Sequence, residues 1–128
     1  MPVVRVSMLR GKSPAYINAL STTIYDALVE GYGMAEGDHF QIIEQLEPDS
    51  FRFNRNYHVE TSRTDNLVII TIQSAARRMG DKEAFMKLVV DRLGTSPGIA
   101  PQDVLLYLYS GMHLEDISFG NGKSAASK

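Results

Sequence analysis

The sequence predicts a two-layer α+β fold in which a β-α-β unit occurs twice, giving one four-stranded sheet with two helices on one face. Stretches rich in β-branched residues alternate with stretches of helical periodicity in the order strand, helix, strand, and this order is repeated. Comparing the chain with itself at an offset of 65 residues aligns apolar helix positions: Leu20 with Phe85, Ile24 with Val89 and Leu28 with Leu93. A right-handed helical crossover makes the strands within each unit parallel.

The first unit is predicted to begin with a strand from Val3 to Leu9, which is rich in β-branched residues. Ser13-Pro14 marks a helix start, with serine as N-cap and proline at the first helical position, where its missing N–H is not needed. Gly31-Tyr32-Gly33 ends the helix, and a second strand follows from His39 to Leu46. The helix has one apolar stripe: Ile17, Leu20, Ile24, Ala27 and Leu28.

The second unit follows a polar stretch, residues 48–66, which we interpret as a long loop or a short hairpin. Leu67 to Gln73 is a nearly continuous apolar run, typical of a strand buried on both faces. Asp81 is a candidate helix cap, Ser96-Pro97-Gly98 stops that helix, and the last strand is predicted from Val104 to Tyr109. The predicted apolar stripe of this helix is Phe85, Leu88, Val89 and Leu93.

A single domain is predicted for residues 1–128, with repeats at about 2–47 and 67–110 and a C-terminal tail at 111–128. The chain is 44% hydrophobic and 22% charged, which is typical of one globular domain with a substantial core. The formal net charge of -2 argues against nucleic acid or an anionic membrane as a partner.

Several classes of chemistry and location are excluded by composition. The chain has no cysteine, so disulfides and thiolate catalysis are absent. No secretory signal is visible, and the longest aliphatic-rich run is far shorter than the roughly 20 residues needed to span a bilayer. We therefore expect a cytoplasmic protein. Because His39, His58 and His113 lack metal-ligand spacing, we expect no metal site.

The strands are apolar on both sides, yet two helices cover only one face of the predicted sheet. The other face needs a cover of similar chemistry, and copies of the same chain provide one. We therefore expect a homo-oligomer.

Pro2 is the first candidate functional residue. If Met1 is removed, Pro2 becomes a rigid secondary amine at the start of a core strand, with Val4 and Ile69 nearby. Desolvation disfavours the ammonium form and lowers the pKa of such an amine, and a nearby guanidinium lowers it further. The free amine can then act as a general base near neutral pH. If Met1 stays, Pro2 is an ordinary residue at the first position of a strand.

Arg77 and Arg78 follow the buried strand in the stretch Ser74-Ala75-Ala76-Arg77-Arg78. A guanidinium at the carboxyl end of a strand, beside the start of a helix, is suited to bidentate binding of a carboxylate. Adjacent side chains point in different directions, so at most one of the two faces a site. The alternative is that both belong to a solvated turn.

Asp38 and Phe119 each have two interpretations. Asp38 aligns with Asp103 at the same offset of 65 residues. In one interpretation both carboxylates cap the start of a strand, and in the other Asp38 has a functional role of its own. Phe119 is either a core or interface residue, or, in a trimer, it lines the pocket of a neighbouring subunit.

Several short motifs, in order, resemble the tautomerase superfamily. They are Met-Pro at the start, the duplicated β-α-β unit, Asp38-His39-Phe40-Gln41, an arginine after the third main strand, and Ser118-Phe119-Gly120-Asn121-Gly122. The closest resemblance is to the branch that contains malonate semialdehyde decarboxylase and related tautomerase-like proteins. It extends from Pro2 to Gly122.

This resemblance implies a homotrimeric, cofactor-independent enzyme that acts on a small 2-oxo or 3-oxo carboxylic acid. Pro2 matches the processed proline that serves as general acid or base, and Arg77 matches the arginine that holds the substrate carboxylate. Asp38 matches the aspartate that orients water or substrate in the decarboxylase branch. Phe119 is assigned to substrate binding. The implied reaction is tautomerisation, decarboxylation or hydration.

The chain departs from the decarboxylase pattern at two positions. That pattern has Ser-Arg-Pro-Arg after the strand, where this chain has Ser74-Ala75-Ala76-Arg77, and many relatives have tryptophan where Ile117 stands. These differences favour a broader tautomerase or related lyase. They also leave open a non-catalytic oligomeric ligand-binding or regulatory module on the same scaffold. An unrelated ferredoxin-like sensor is the third hypothesis.

Overall fold

The secondary structure follows the predicted repeat. A computed structural model describes residues 2–76 and 79–127. Within them lie four strands, β1 (Val3–Leu9), β2 (Gln41–Leu46), β3 (Val68–Ala75) and β4 (Val104–Met112), and two α-helices, α1 (Pro14–Gly31) and α2 (Met79–Thr95). The order is β1-α1-β2 followed by β3-α2-β4. The prediction of a two-layer fold with a duplicated β-α-β unit is confirmed.

The strands form one mixed sheet in the order β2-β1-β3-β4. β1 is parallel to β2 and β3 is parallel to β4, as the crossovers require. The two units are joined by antiparallel pairing of β1 with β3, in which Val6 lies opposite Ile70. The start of β1 therefore lies beside the end of β3, at one end of the two central strands.

Both helices pack against one face of this sheet. The buried positions of β1 alternate with exposed ones, as expected for a strand with one core face. The predicted helix stripes are buried except for Ile17 and Leu88, which are partly buried. The two helices contact each other closely at Gly31, where an added Cβ would lie 2.6 Å from Leu88 Cδ2. The main core residues are Val4, Val6, Met8, Leu20, Ile24, Leu28, Ile70, Ile72, Phe85, Val89 and Leu93.

The opposite face of the sheet is uncovered and largely apolar. Arg5 and Glu44 form an ion pair across it, with Nη1 and Oε1 2.6 Å apart. The register puts Ile42 beside Arg5 and Tyr107 beside Thr71 in one row across the strands. Large apolar side chains on or beside this face remain exposed: Val3 43%, Ile42 44%, Tyr107 54% and Tyr109 58%.

Several boundaries differ from the sequence prediction, and β3 runs from Val68 to Ala75 rather than from Leu67 to Gln73. β2 begins at Gln41, two residues late, because the His39 N–H donates to Gly37 O at 2.9 Å in a preceding turn. α2 begins at Met79, so Asp81 lies in the first turn rather than at the N-cap, where a carboxylate still interacts favourably with the helix dipole. β4 continues to Met112 because its pairing with β3 extends to Ala75.

Residues 47–67 form a loop with a 3-10 turn at Pro48–Ser50 and without a hairpin. Asp103 fastens this loop to the sheet: its carboxylate accepts hydrogen bonds from the Thr64 N–H and hydroxyl, each at 2.7 Å. Asp103 is only 1% exposed. The nearby Tyr16 hydroxyl is buried, and its pKa is raised above 10.0 by desolvation first and by the negative charge of Asp103 second.

No helix in the described ranges is both long and apolar enough to pass through a bilayer.

Candidate functional site

Three segments meet at one end of the strands of the sheet: the start of β1, the end of β3 and the turn before β2. Val3 lies opposite Gln73, so the next positions along the two antiparallel strands are Pro2 and Ser74. Ala75, the last residue of β3, follows at the same edge. The topology therefore brings Pro2 and the segment that precedes Arg77 to the same end of the sheet.

Pro2 is buried in an apolar crevice beneath α1. The crevice is lined by Val4 from β1, Leu28 from α1 and Met34 from the turn that follows, with Asp38 at one side. It contains no volume that a water-sized sphere can occupy. The core face of β1 and the end of α1 thus enclose the proline ring.

Asp38 lies in a turn that α1 holds in place. The Asp38 N–H donates to Ala35 O at 3.2 Å, and Gly37 has a φ of 87°, which glycine adopts without strain. The Gly37 N–H donates to the Tyr25 hydroxyl at 2.7 Å. The Tyr25 ring also packs against the ring of His39, with centroids 5.1 Å apart. Tyr25 therefore contacts both neighbours of Asp38, Gly37 through its backbone N–H and His39 through its ring.

An open cavity of about 560 Å³ adjoins the Pro2 crevice. The two spaces share Asp38 and Phe40 among their lining residues. Phe119 and Ala75 form other parts of the wall. The volume falls within the range of roughly 300–1,000 Å³ that is usual for small-ligand pockets.

Phe119 reaches this cavity because the chain after β4 turns back. A 3-10 turn spans Leu114–Asp116, and an antiparallel bridge joins Ser118 to Ser124. Between them, Asn121 has a positive φ of 60°, as asparagine tolerates in tight turns. The Phe119 ring lies 6.3 Å from the Phe40 ring, centroid to centroid, in a tilted pair.

A buried hydrogen bond connects the end of β3 to the end of α1. The hydroxyls of Tyr32 and Ser74 lie 2.6 Å apart, and Ser74 Oγ also donates to Ala75 O at 2.9 Å. Tyr32 caps the end of α1 and stacks on Phe85 at 4.7 Å between centroids. The end of β3 is therefore tied to both helices just before the segment that carries the predicted arginines.

Of the predicted site residues, Pro2, Asp38 and Phe119 are brought to these two adjoining spaces. Arg77 and Arg78 lie outside the described residues. Sequence reasoning did not select Tyr25, which holds the Asp38 turn. Tyr25 carried no distinctive signal, because its partner is a backbone N–H twelve residues away in a turn whose shape depends on Gly37.

Phe40 was also missed, although it belongs to the Asp38-His39-Phe40-Gln41 stretch. It falls within the strand predicted from His39 to Leu46, whereas in the structure it precedes β2 and its ring, 50% exposed, lines the cavity. Among the described ranges, no group of three or more histidine, aspartate or glutamate side chains is arranged to hold a metal ion.

Comparison with known proteins gives a consistent result. A family model described as "Tautomerase enzyme" matches residues 38–120. Over 125 residues the chain is 32% identical to the probable tautomerase YusQ of Bacillus subtilis (strain 168), covering 97% of each chain. It is 26% identical over 124 residues to the probable tautomerase YrdN of the same organism, covering 97% of this chain and 95% of the relative.

Among solved structures, malonate semialdehyde decarboxylase superposes with a TM-score of 0.88 at 26% identity, covering 94% of this chain and 92% of that one. A fused 4-OT symmetric trimer superposes with a TM-score of 0.76 at 21% identity, covering 96% and 95% of the two chains. The latter likeness concerns the fold alone.

Proposed function

The chain belongs to the tautomerase enzyme family, and from this premise we propose that it is a cofactor-independent enzyme in which the amino-terminal proline is the general acid or base. The substrate is a small 2-oxo or 3-oxo carboxylic acid, and the reaction is tautomerisation or a related decarboxylation or hydration. The observation that carries this proposal is the placement of Pro2: it is buried in an apolar crevice that shares Asp38 and Phe40 with an open cavity.

The proposed chemistry starts once Met1 has been removed, which leaves Pro2 as a secondary amine. The neutral amine takes a proton from the carbon beside the substrate carbonyl, and the resulting ammonium gives that proton to the enolate oxygen, which yields the enol and restores the amine. In the reverse direction the ammonium returns the proton to carbon. The apolar part of the wall around Pro2 favours the neutral amine and so suits the base role, whereas the Asp38 carboxylate in the same wall favours the ammonium and so suits the acid role.

Two further residues complete the proposed site. Asp38, fixed by the Tyr25–Gly37 hydrogen bond, orients water or substrate beside the amine. Arg77 follows the last residues of β3 by two positions, and its guanidinium holds the substrate carboxylate in a bidentate pair. This arrangement positions the acidic carbon next to the base, which is the main contribution that a rigid site can make to such a reaction.

The proposed assembly is a homotrimer. The uncovered sheet face presents Ile42, Tyr107 and Tyr109 to solvent in the single chain, and burial against copies of the chain removes this apolar area from water. A fused 4-OT neighbour of the same fold is itself a trimer. Light scattering of the wild type and of Tyr107→Glu tests this directly: a trimeric wild type and a dissociated variant are expected, and a monomeric wild type contradicts it.

The function is tested by exchange of carbon-bound hydrogen. In D₂O, a tautomerase replaces hydrogen at carbon 3 of a 2-oxo acid with deuterium, and proton NMR follows the loss of the signal. Pro2→Ala should lower the catalysed rate at least about 100-fold, in keeping with loss of a positioned general base. Pro48→Ala, in an exposed 3-10 turn, is the matched control and should keep the wild-type rate.

Processing of the terminus is a separate requirement. Intact mass spectrometry should show loss of Met1 in the active protein, and a chain with an added N-terminal extension, which turns the amine into an amide, should be inactive. An equal rate for wild type, Pro2→Ala and the extended chain would show that Pro2 is not the base. The same set would then favour the non-catalytic ligand-binding module.

The role of Arg77 in carboxylate binding is tested by comparing its substitution with that of Arg78. Arg77→Ala should raise KM for 2-oxo acids by about tenfold or more, because it removes a charge-assisted pair with the carboxylate. Arg78→Ala is the matched control and should change KM little. If Arg78→Ala has the larger effect, the carboxylate clamp has been assigned to the wrong arginine.

A further inference from the structure

Resting on the proposed function, we infer that Tyr32 and Ser74 form a positioning pair for the reaction. Their hydroxyls lie 2.6 Å apart in the core, and the pair holds together two segments of the site wall, one that follows α1 and one at the end of β3. Neither side chain is among the described residues that line the Pro2 crevice or the open cavity. The pair therefore acts through its neighbours rather than on the substrate.

The first argument is where the two residues lie along the chain. Tyr32 directly precedes Gly33, and Ser74 directly precedes Ala75. Gly33 and Ala75 both line the open cavity. Ser74 also lies beside Pro2 across the antiparallel pairing of β1 with β3. The hydrogen bond thus joins the chain at two points where it enters the cavity wall, next to the proposed base.

The second argument is the direction and the burial of the hydrogen bonds. Ser74 Oγ donates to Ala75 O at 2.9 Å, and since a serine hydroxyl has one hydrogen, the Tyr32 hydroxyl is the donor in the 2.6 Å bond. Tyr32 is 3% exposed and Ser74 is 0% exposed, so water does not compete for these groups. The chain of hydroxyls ends on Ala75 O and so orients the peptide group that follows this cavity-lining residue.

The third argument is that Tyr32 is itself anchored to both helices. Its backbone N–H donates to Leu28 O at 3.1 Å, where α1 ends. Its ring packs against Phe85 of α2, with centroids 4.7 Å apart. Because Leu28 and Phe85 both belong to the buried core, the Tyr32 hydroxyl has a fixed position from which to hold Ser74.

The pairing of β3 with β4 is irregular at this point, so the strand ladder alone does not fix the end of β3. Gln73 pairs with Tyr109, whereas Ala75 pairs with Met112. Two steps along β3 thus correspond to three along β4, which is a β-bulge, and a bulge locally disrupts the ladder. Ser74 lies between these two pairs. The buried hydrogen bond supplies a constraint there that backbone pairing does not provide.

Hydroxyl deletions test the pair in the exchange assay. Tyr32→Phe and Ser74→Ala each remove one hydroxyl and keep most of the side-chain volume, and deuterium exchange at carbon 3 of a 2-oxo acid gives kcat and KM for each. We expect kcat to fall by about tenfold or more in both variants, since a misplaced site wall disturbs the reacting geometry, and KM to change by less than about threefold. The double variant should be no slower than the slower single variant, because both changes break the same interaction.

Thr23→Val is the matched control for loss of a hydroxyl that joins two elements. The Thr23 hydroxyl donates to Ser96 O at 2.8 Å, and Thr23 is not one of the described residues that line the crevice or the open cavity. This variant should lose stability in urea unfolding and keep the wild-type kcat. An equal loss of kcat in Thr23→Val, or a kcat within about twofold of wild type in both hydroxyl variants of the pair, would overturn the inference.

Pro2→Ala separates this inference from the proposed function. Equal exchange rates for wild type and Pro2→Ala would count against Pro2 as the base, and so only against the proposed function. Backbone amide NMR signals give a readout that needs no turnover. Ser74→Ala should shift the signal of Gly33, and Tyr32→Phe that of Ala75, in each case the wall residue on the other segment, while the matched control shifts neither. If neither cross-segment signal shifts, the inference fails even when Pro2→Ala is inactive.

Discussion

Replacement of Asp103 tests how the long loop is attached to the sheet. Asp103 is 1% exposed, and its two carboxylate oxygens accept the Thr64 N–H and the Thr64 hydroxyl at 2.7 Å each. Asp103→Ala removes both acceptors. Asp103→Asn keeps the shape, with one oxygen for the N–H and an amide that can donate to the hydroxyl oxygen.

The magnitude follows from this geometry. Hydrogen bonds to a charged group contribute about 1.5–3 kcal/mol each, so two of them give at most about 3–6 kcal/mol. Thr64 is exposed, so water can satisfy its freed groups, and removing a buried carboxylate also relieves the cost of its desolvation. We therefore expect Asp103→Ala to lower the free energy of unfolding by about 2–3 kcal/mol and Asp103→Asn by about 1 kcal/mol or less.

Urea unfolding, followed by circular dichroism at one fixed protein concentration, measures both values, because the stability of an oligomer depends on concentration. Thr64→Val in each background completes a double-mutant cycle that isolates the coupling between the two side chains. A loss below about 0.5 kcal/mol for Asp103→Ala, or an equal loss for Asp103→Asn, would refute the argument, because either result would mean that acceptor geometry does not hold the loop.

Three further substitutions test other parts of the structure. Tyr25→Phe removes the hydroxyl that holds the turn before Asp38, so the exchange assay should show a kcat lowered by about tenfold with little change in KM, since misplacement affects the reacting geometry. The raised pKa of Tyr16, due to desolvation and then Asp103, gives stability that is present below pH 10.0 and lost as the pH rises through the folded pKa. Tyr16→Phe should abolish this part of the alkaline loss in urea titrations between about pH 9 and about pH 11. Gly31→Ala forces a methyl into the contact between α1 and α2, and its thermal midpoint should fall because about 1–3 kcal/mol of overpacking exceeds the helix-propensity gain of about 0.5–1 kcal/mol.

The fold was predictable from the sequence because its main signals are local. Ser13 was predicted as an N-cap, and its hydroxyl indeed accepts the Tyr16 N–H at 3.1 Å. The apolar stripes of both helices follow from periodicity alone, and the parallel pairing within each unit follows from crossover geometry. The start of β2 was predicted too early because His39 and Phe40 fit a strand pattern in sequence but follow the turn at Gly37 and precede the strand.

The site was less predictable because its parts come from distant segments. The resemblance selected Pro2, Asp38 and Phe119, and the structure brings these three to adjoining spaces, while their chemical roles stay proposals. Tyr25 and Phe40 were not selected, since their importance depends on which residues lie opposite them in three dimensions. No pattern within one segment contains that information.

The two aspartates at equivalent positions of the repeat show most clearly that a sequence pattern does not determine the role of a residue. Periodicity and offset treat Asp38 and Asp103 as one feature, and both lie just before a parallel strand. Their surroundings differ. Asp103 is buried against Thr64 of the loop that leads into β3, whereas Asp38 lines the open cavity together with Phe119 of the C-terminal segment. The duplicated unit thus provides two similar carboxylate positions, and the segments outside the repeat determine that one fastens a loop while the other borders a ligand-sized space.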